Sequence, residues 1–251
     1  MATDEGADGQ APPPALTQIG IVGGGVSGLT LACGFVHACP ELVLLERSAS
    51  LGGVWASLAN EHSIANVSQP AYSLPVPPRS RGDRVTYHEM LEDVRIAVKH
   101  HELAQKIVLN ACVRAVTTSS VGGGRWAVRG WCAAEAPHPL SLEEPHPLSL
   151  DFEWVILALG GRLGAPRRSL FSSADEARFA GALRRGLHDD CRTLQWTGAR
   201  VVVIGCGPFA LEHVRCALEH DATHVTVLCR RAGLVVPAAV EHLQHRRPSN
   251  R

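Results

Sequence analysis

Gly23, Gly25 and Gly28 stand at the spacing G-x-G-x-x-G, directly after the apolar run Ile19-Gly20-Ile21-Val22. That spacing serves a dinucleotide pyrophosphate. The first glycine permits a tight turn, the second lets backbone approach the phosphates, and the third lets a helix pack on the strand. The helix that opens there turns its unpaired N–H groups and positive dipole end to the anion. Glu46 closes the next apolar run, Leu42-Val43-Leu44-Leu45, where a carboxylate accepts hydrogen bonds from ribose hydroxyls. A second constellation follows Val201-Val202-Val203-Ile204: Gly205, Gly207 and, in the third place, Ala210. Where an NAD site carries an acid, this one has Arg230 and Arg231. An acid would repel a 2′-phosphate, whereas a guanidinium offers it charge-assisted, often bidentate, hydrogen bonds. At about 1.5–3 kcal/mol for a charged hydrogen bond, one such contact gives a tenfold to hundredfold preference for NADP over NAD. Two sites with different acceptor residues point to electron transfer between nucleotide cofactors.

The apolar pattern gives the strands and helices around these residues. A strand over 18–23, a helix from 27 to about 39 ended by Pro40, and a strand over 42–46 make the first βαβ unit. A Pro-rich irregular stretch follows. Thr86-x-x-Glu89 is a capping box opening an amphipathic helix to about Gln105. Strands are expected over 106–116 and 125–131, flanking Gly122-Gly123-Gly124, and a buried strand over 152–159. A helix is expected around 175–187. The second βαβ unit spans a strand at 200–204, a helix at about 208–219 and a strand at 224–228. Between the units lies a tandem duplication: residues 135–142 and 143–150 are identical at seven of eight positions. Its prolines at alternate positions forbid helix and central strand, so an exposed loop is expected. His138 and His146 have no Cys or acidic partner at ligand spacing, so no metal site is assigned.

Bulk properties narrow the classes. Lys plus Arg and Asp plus Glu number 24 each, which gives no electrostatic case for nucleic acid. Eight cysteines contain no C-x-x-C pair, which argues against a redox dithiol and a zinc knuckle. A reducing, cytoplasmic setting is expected. Residues 1–16 read as an acidic, Pro-rich disordered tail without the pattern of a signal peptide. The uncharged stretch 19–36 is too glycine-broken to be a membrane span and reads as a buried strand, turn and helix.

One segment narrows the class further. Glu46-Arg47-Ser48-Ala49-Ser50-Leu51-Gly52-Gly53-Val54-Trp55 resembles the flavin-dependent monooxygenases of the flavin-containing, Baeyer–Villiger and N-hydroxylating group, which share an acid, a Gly-Gly doublet and a Trp two residues on. Ser63-Ile64-Ala65-Asn66 resembles the segment that brings an Asn to the flavin. The stretch 155–161 looks like the strand and glycine joining FAD and NADPH domains. Phe209-Ala210-x-Glu212-x-Val214-Arg215 is similar to an algal-protist branch. The likeness covers roughly residues 17–235. Phe179 and Gly181 only echo the F-x-G-x-x-x-H signature, and His188 receives no role.

The resemblance implies an α/β, two-dinucleotide-binding-domain flavoprotein: a Rossmann-like FAD domain over 17–165 with a loop insertion at 133–151, a linker over 166–195, and an incomplete NADPH domain over 196–251. It implies FAD at Gly23, Gly25, Gly28, Glu46, Arg47, Gly53 and Trp55. NADPH falls at Gly205, Gly207, Ala210, Arg230 and Arg231, and Asn66 is the candidate catalytic residue. The implied activity is oxygenation of a small organic substrate by molecular oxygen. Family members continue further, so an N-terminal portion with weak or absent turnover of its own is expected. The alternatives are a dinucleotide-binding protein without turnover and a pyridine-nucleotide flavin reductase, the latter disfavoured by the lack of a close cysteine pair. Neither substrate nor oligomeric state is legible.

Overall fold

The computed structural model describes residues 18–61, 63–67, 72–79, 82, 84–120, 124–132, 146–160, 171–184 and 194–230. The chain runs β1 (Ile19–Val22), α1 (Val26–Phe35), β2 (Val43–Leu45), α2 (Val54–Ser57), α3 (Tyr87–His100), β3 (Ile107–Val108), β4 (Ala111–Thr118), β5 (Trp126–Cys132), β6 (His146–Phe152), β7 (Trp154–Leu157), α4 (Ser173–Arg178), β8 (Arg200–Ile204), α5 (Pro208–Glu219) and β9 (His224–Leu228). Among the described residues, a parallel sheet is ordered β3-β2-β1-β7, an antiparallel sheet β4-β5-β6, and β8 pairs in parallel with β9.

Alternation along β1 explains the layers. Ile19 and Ile21 enter a core with Leu29 and Ala32 of α1 and Met90 and Ala97 of α3. Val22 turns to the other face and packs with Leu45, Val128 and Phe152. Side chains two apart share a face, so one strand serves a helical layer and a second sheet at once. Gly20 makes the second contact possible: a Cβ there would lie 2.6 Å from the Phe152 ring. The uncharged stretch 19–36 forms β1, the glycine loop and α1, as the sequence predicts, and no described helix is long and apolar enough to cross a membrane.

Several boundaries differ from the sequence expectation. Residues 146–150 of the second repeat copy are paired as part of β6 rather than forming a loop. Leu148, Leu150 and Phe152 alternate inward, and that period of two outweighs the prolines. Pro147 is tolerated because β6 is, among the described residues, an edge strand, where alternate N–H groups point away from the ladder. The first copy lies outside the described residues, as do the tail and residues 231–251. The strand expected over 152–159 is split at Glu153: Phe152 ends β6 in the antiparallel sheet and Trp154 begins β7 in the parallel one. α1 stops at Phe35, short of Cys39. α3 stops at His100, because Glu102 adopts a left-handed φ of 53° before a 3₁₀ turn at Leu103–Lys106. The expected helix around 175–187 is the six-residue α4, capped by Ser172, whose hydroxyl accepts from Asp175 N–H. The capping box of α3 forms as expected, and the second strand–helix–strand unit falls at the expected positions.

Candidate dinucleotide sites

The first fingerprint is a loop closed by backbone contacts. Gly23 has φ +110°, and a Cβ there would lie 2.4 Å from the Ala158 carbonyl oxygen. A Cβ on Gly28 would lie 1.8 Å from the Gly23 carbonyl oxygen, so the third glycine is obligatory for α1 to approach β1. Gly25 differs. It stands at the N-cap of α1, no side chain caps that turn, and a Cβ there would meet only Gly53 Cα, at 3.7 Å. The doublet lies against this loop: Gly52 N–H donates to Gly24 O at 2.9 Å, and a Cβ on Gly53 would strike Gly25 Cα at 2.9 Å. The open cradle over Gly25 at an uncapped helix N-terminus fits a pyrophosphate.

Glu46 is 8% exposed. Its Oε2 accepts from Gly24 N–H at 2.6 Å and its Oε1 from Ser48 N–H at 2.7 Å. The carboxylate thus ties the fingerprint loop to the end of β2. Arg47 beside it is exposed.

The second fingerprint repeats the geometry. Gly205 has φ +128° and donates its N–H to Leu228 O at 2.8 Å, as Gly23 does to Leu45 O at 2.8 Å. Gly207 is the N-cap of α5, with Pro208 in the first turn, and a Cβ on it would meet nothing within 4 Å. At the third position Ala210 fits: its Cβ lies 3.8 Å from where a Gly205 Cβ would be, an ordinary contact. Arg230 is exposed just beyond β9; Arg231 lies outside the described residues.

The two regions meet. A cavity of about 310 Å³ is lined by Trp55, Asn66 and Tyr72 on one side and by Phe209 and Glu212 of α5 on the other. Trp55 is buried, and its indole N–H donates to the Tyr72 hydroxyl at 2.9 Å. Asn66 is exposed at the rim. Ser63, 1% exposed, donates its hydroxyl to the Glu212 carboxylate. Burial lowers the His213 pKa against the opposing pull of Glu212, and burial raises the Cys216 thiol. Ser63, Tyr72, Phe209 and Glu212 were not among the sequence candidates. Three of them stand in stretches that carry the resemblance, Ser63 in 63–66 and Phe209 and Glu212 in 209–215, but without a role of their own; Tyr72 stands in none. Their meeting depends on a contact between distant segments that local pattern does not encode. Among the described residues no group of His, Cys, Asp and Glu could hold a metal ion.

No family model matches the sequence, and no curated protein matches it. Solved structures do. The chain is similar to OTEMO in complex with FAD and NADP, with 22% identity and TM-score 0.61 over 87% of this chain and 39% of that one. It is similar to oxidised steroid monooxygenase bound to NADP, with 21% identity and TM-score 0.64 over 90% of this chain and 42% of that one. It also resembles S-allyl-L-cysteine S-oxygenase from Allium sativum, with 17% identity and TM-score 0.65 over 89% of this chain and 54% of that one. The chain spans between about two fifths and half of these proteins' lengths. At such identities the likeness shows the fold, an α/β arrangement shared with two-dinucleotide-binding flavoprotein monooxygenases.

Proposed function

We propose that the chain binds FAD at the first fingerprint and NADPH at the second, and that it carries the dinucleotide-binding part of a flavoprotein monooxygenase acting on a small organic substrate. One observation carries the reading. A single chain builds the same strand–glycine loop–helix–strand unit twice, with a buried carboxylate beside one loop and an arginine beside the other, and opens a cavity between them.

Each role follows from position. The uncapped N-terminus of α1 and the open face of Gly25 hold the FAD pyrophosphate. Glu46 keeps the loop in shape through Gly24 N–H and offers its remaining lone pairs to the adenosine ribose. The N-terminus of α5 takes the second pyrophosphate, and Arg230 the 2′-phosphate. Asn66 presents a carboxamide at the cavity rim, able to donate and accept at once. Trp55, Tyr72 and Phe209 form an apolar wall that keeps water from the reacting atoms. When bound, the cofactors supply hydride transfer and oxygen chemistry; the chain supplies placement.

The two-site reading is tested by adding NADPH anaerobically to the FAD-loaded chain. Flavin colour should bleach, and faster with NADPH than with NADH. A flavin that stays oxidised after NADPH has bound would show that the two sites do not communicate.

A further inference from the structure

The two fingerprints can be aligned through their own hydrogen bonds. Gly23 donates to Leu45 O and Gly205 to Leu228 O, while strand pairing sets Val22 opposite Leu45 and Ile204 opposite Leu228. This register makes Cys206 the counterpart of Gly24, and Cys229 the counterpart of Glu46. In the first unit those two positions face each other across the strand ends. Gly24 N–H reaches Glu46 Oε2 at 2.6 Å, and a Cβ on Gly24 would stand 3.0 Å from Glu46 Cβ. In the second unit both positions have a Cβ, and each carries a thiol. A disulfide requires a Cβ separation of roughly 3.5–4.5 Å, so the second unit need be wider than the first by only about an ångström.

Accessibility separates this pair from the core cysteines. Cys33, Cys39 and Cys216 are buried, whereas Cys206 is half-buried and Cys229 exposed; all five are free thiols. Burial pushes the Cys33 thiol up to about 11, which keeps it protonated and inert. The sequence spacing hides the pair, because 206 and 229 sit at the ends of neighbouring strands rather than in a C-x-x-C motif.

We propose that Cys206 and Cys229 form a reversible redox pair whose disulfide closes the second fingerprint. The oxidant is a hydroperoxide, of which hydrogen peroxide is the simplest. One thiolate attacks a peroxide oxygen, the O–O bond breaks, and a sulfenic acid and hydroxide form. The second thiol displaces the sulfenic hydroxyl as water, so two thiols and one peroxide give one disulfide and two waters. An external dithiol reverses the step by exchange. The bridge spans the loop and the end of β9 one residue before Arg230, where the first unit brings its loop N–H to a carboxylate. Closure against nucleotide rests on the reading of this loop as the NADPH site; the disulfide itself does not.

The test uses the full chain, reduced or treated with hydrogen peroxide. Mass spectrometry of the digested protein should find a peptide linking Cys206 to Cys229, absent from Cys229→Ser. NADPH titration should show at least tenfold weaker binding after oxidation, restored by dithiothreitol, with the peroxide response abolished in Cys229→Ser. Absence of that linkage in peroxide-treated protein overturns the pair. A linked chain that binds NADPH as tightly as the reduced one overturns the closure. A reduced chain that takes up no NADPH but still forms the linked peptide overturns the NADPH reading and upholds the pair.

Discussion

The third position of each fingerprint shows how a single carbon decides what a loop tolerates. At Gly28 the space is filled by the Gly23 carbonyl, while at the equivalent site Ala210 has room for its methyl. Sequence spacing finds both motifs and cannot tell these cases apart. Glu46 is a similar case. Its type and place were legible, but its bonds to Gly24 and Ser48 N–H were not, because they need the folded loop. Glu46→Gln turns one acceptor into a donor facing a backbone N–H. Loss of one buried acceptor costs about 1–3 kcal/mol, so chemical denaturation should show a lower midpoint and flavin affinity should fall. Unchanged stability would mean the carboxylate does not hold the loop. Arg230→Ala removes the guanidinium proposed to hold the 2′-phosphate. Titration should then show a tenfold to hundredfold weaker NADPH complex, worth about 1.5–3 kcal/mol, with NADH binding unchanged. Equal NADPH and NADH affinity in the wild type would contradict the arginine reading.

Elements were legible where a local signal closes them. The capping box is one: the Thr86 hydroxyl accepts from Glu89 N–H while the Glu89 carboxylate accepts from Thr86 N–H. Thr86→Ala should cost about 1 kcal/mol and lower Tm by about 2–4 °C for a chain of this size. A larger loss would show that Thr86 also sustains its bridge to Ile64. The split between β6 and β7 was not legible, because one charged residue, Glu153, between Phe152 and Trp154 is also what alternation within a single strand would show. Nor was the strand built from proline-rich repeat, whose alternate leucines prevail at a sheet edge. α5 carries a pH dependence. Neither ring nitrogen of His213 has a hydrogen-bond partner among the described residues, and burial holds its pKa below the ordinary 6.5. Below that value the unfolded ring binds a proton that the folded ring resists, so stability falls as pH drops from 6.5 toward the folded value. His213→Phe should flatten that limb of a Tm-against-pH curve. A limb of unchanged slope would assign it to other groups.

At the scale of the molecule, β1 serves two cores at once, and its glycine admits the antiparallel sheet from below. The fold class was readable from the alternation of strands and helices, and its likeness to solved flavoprotein monooxygenases agrees with that reading. The cavity was not readable, because Ser63 and Glu212 lie far apart in the chain and meet only when α5 docks on the segment beside Trp55. The residues that wall the cavity come from regions whose local patterns say nothing of one another. The first fingerprint as an FAD site is tested best at Gly25. A Cβ there makes one ordinary contact, with Gly53 Cα at 3.7 Å, so a side chain competes with the cofactor more than with the protein. The decisive measurement is the flavin content of the purified chain, after addition of FAD, in the wild type and in Gly25→Val at matched circular dichroism. The expected result is a yellow wild type with stoichiometric FAD and a folded, colourless variant. A folded wild type that takes up no FAD, or equal flavin in both proteins, would contradict it.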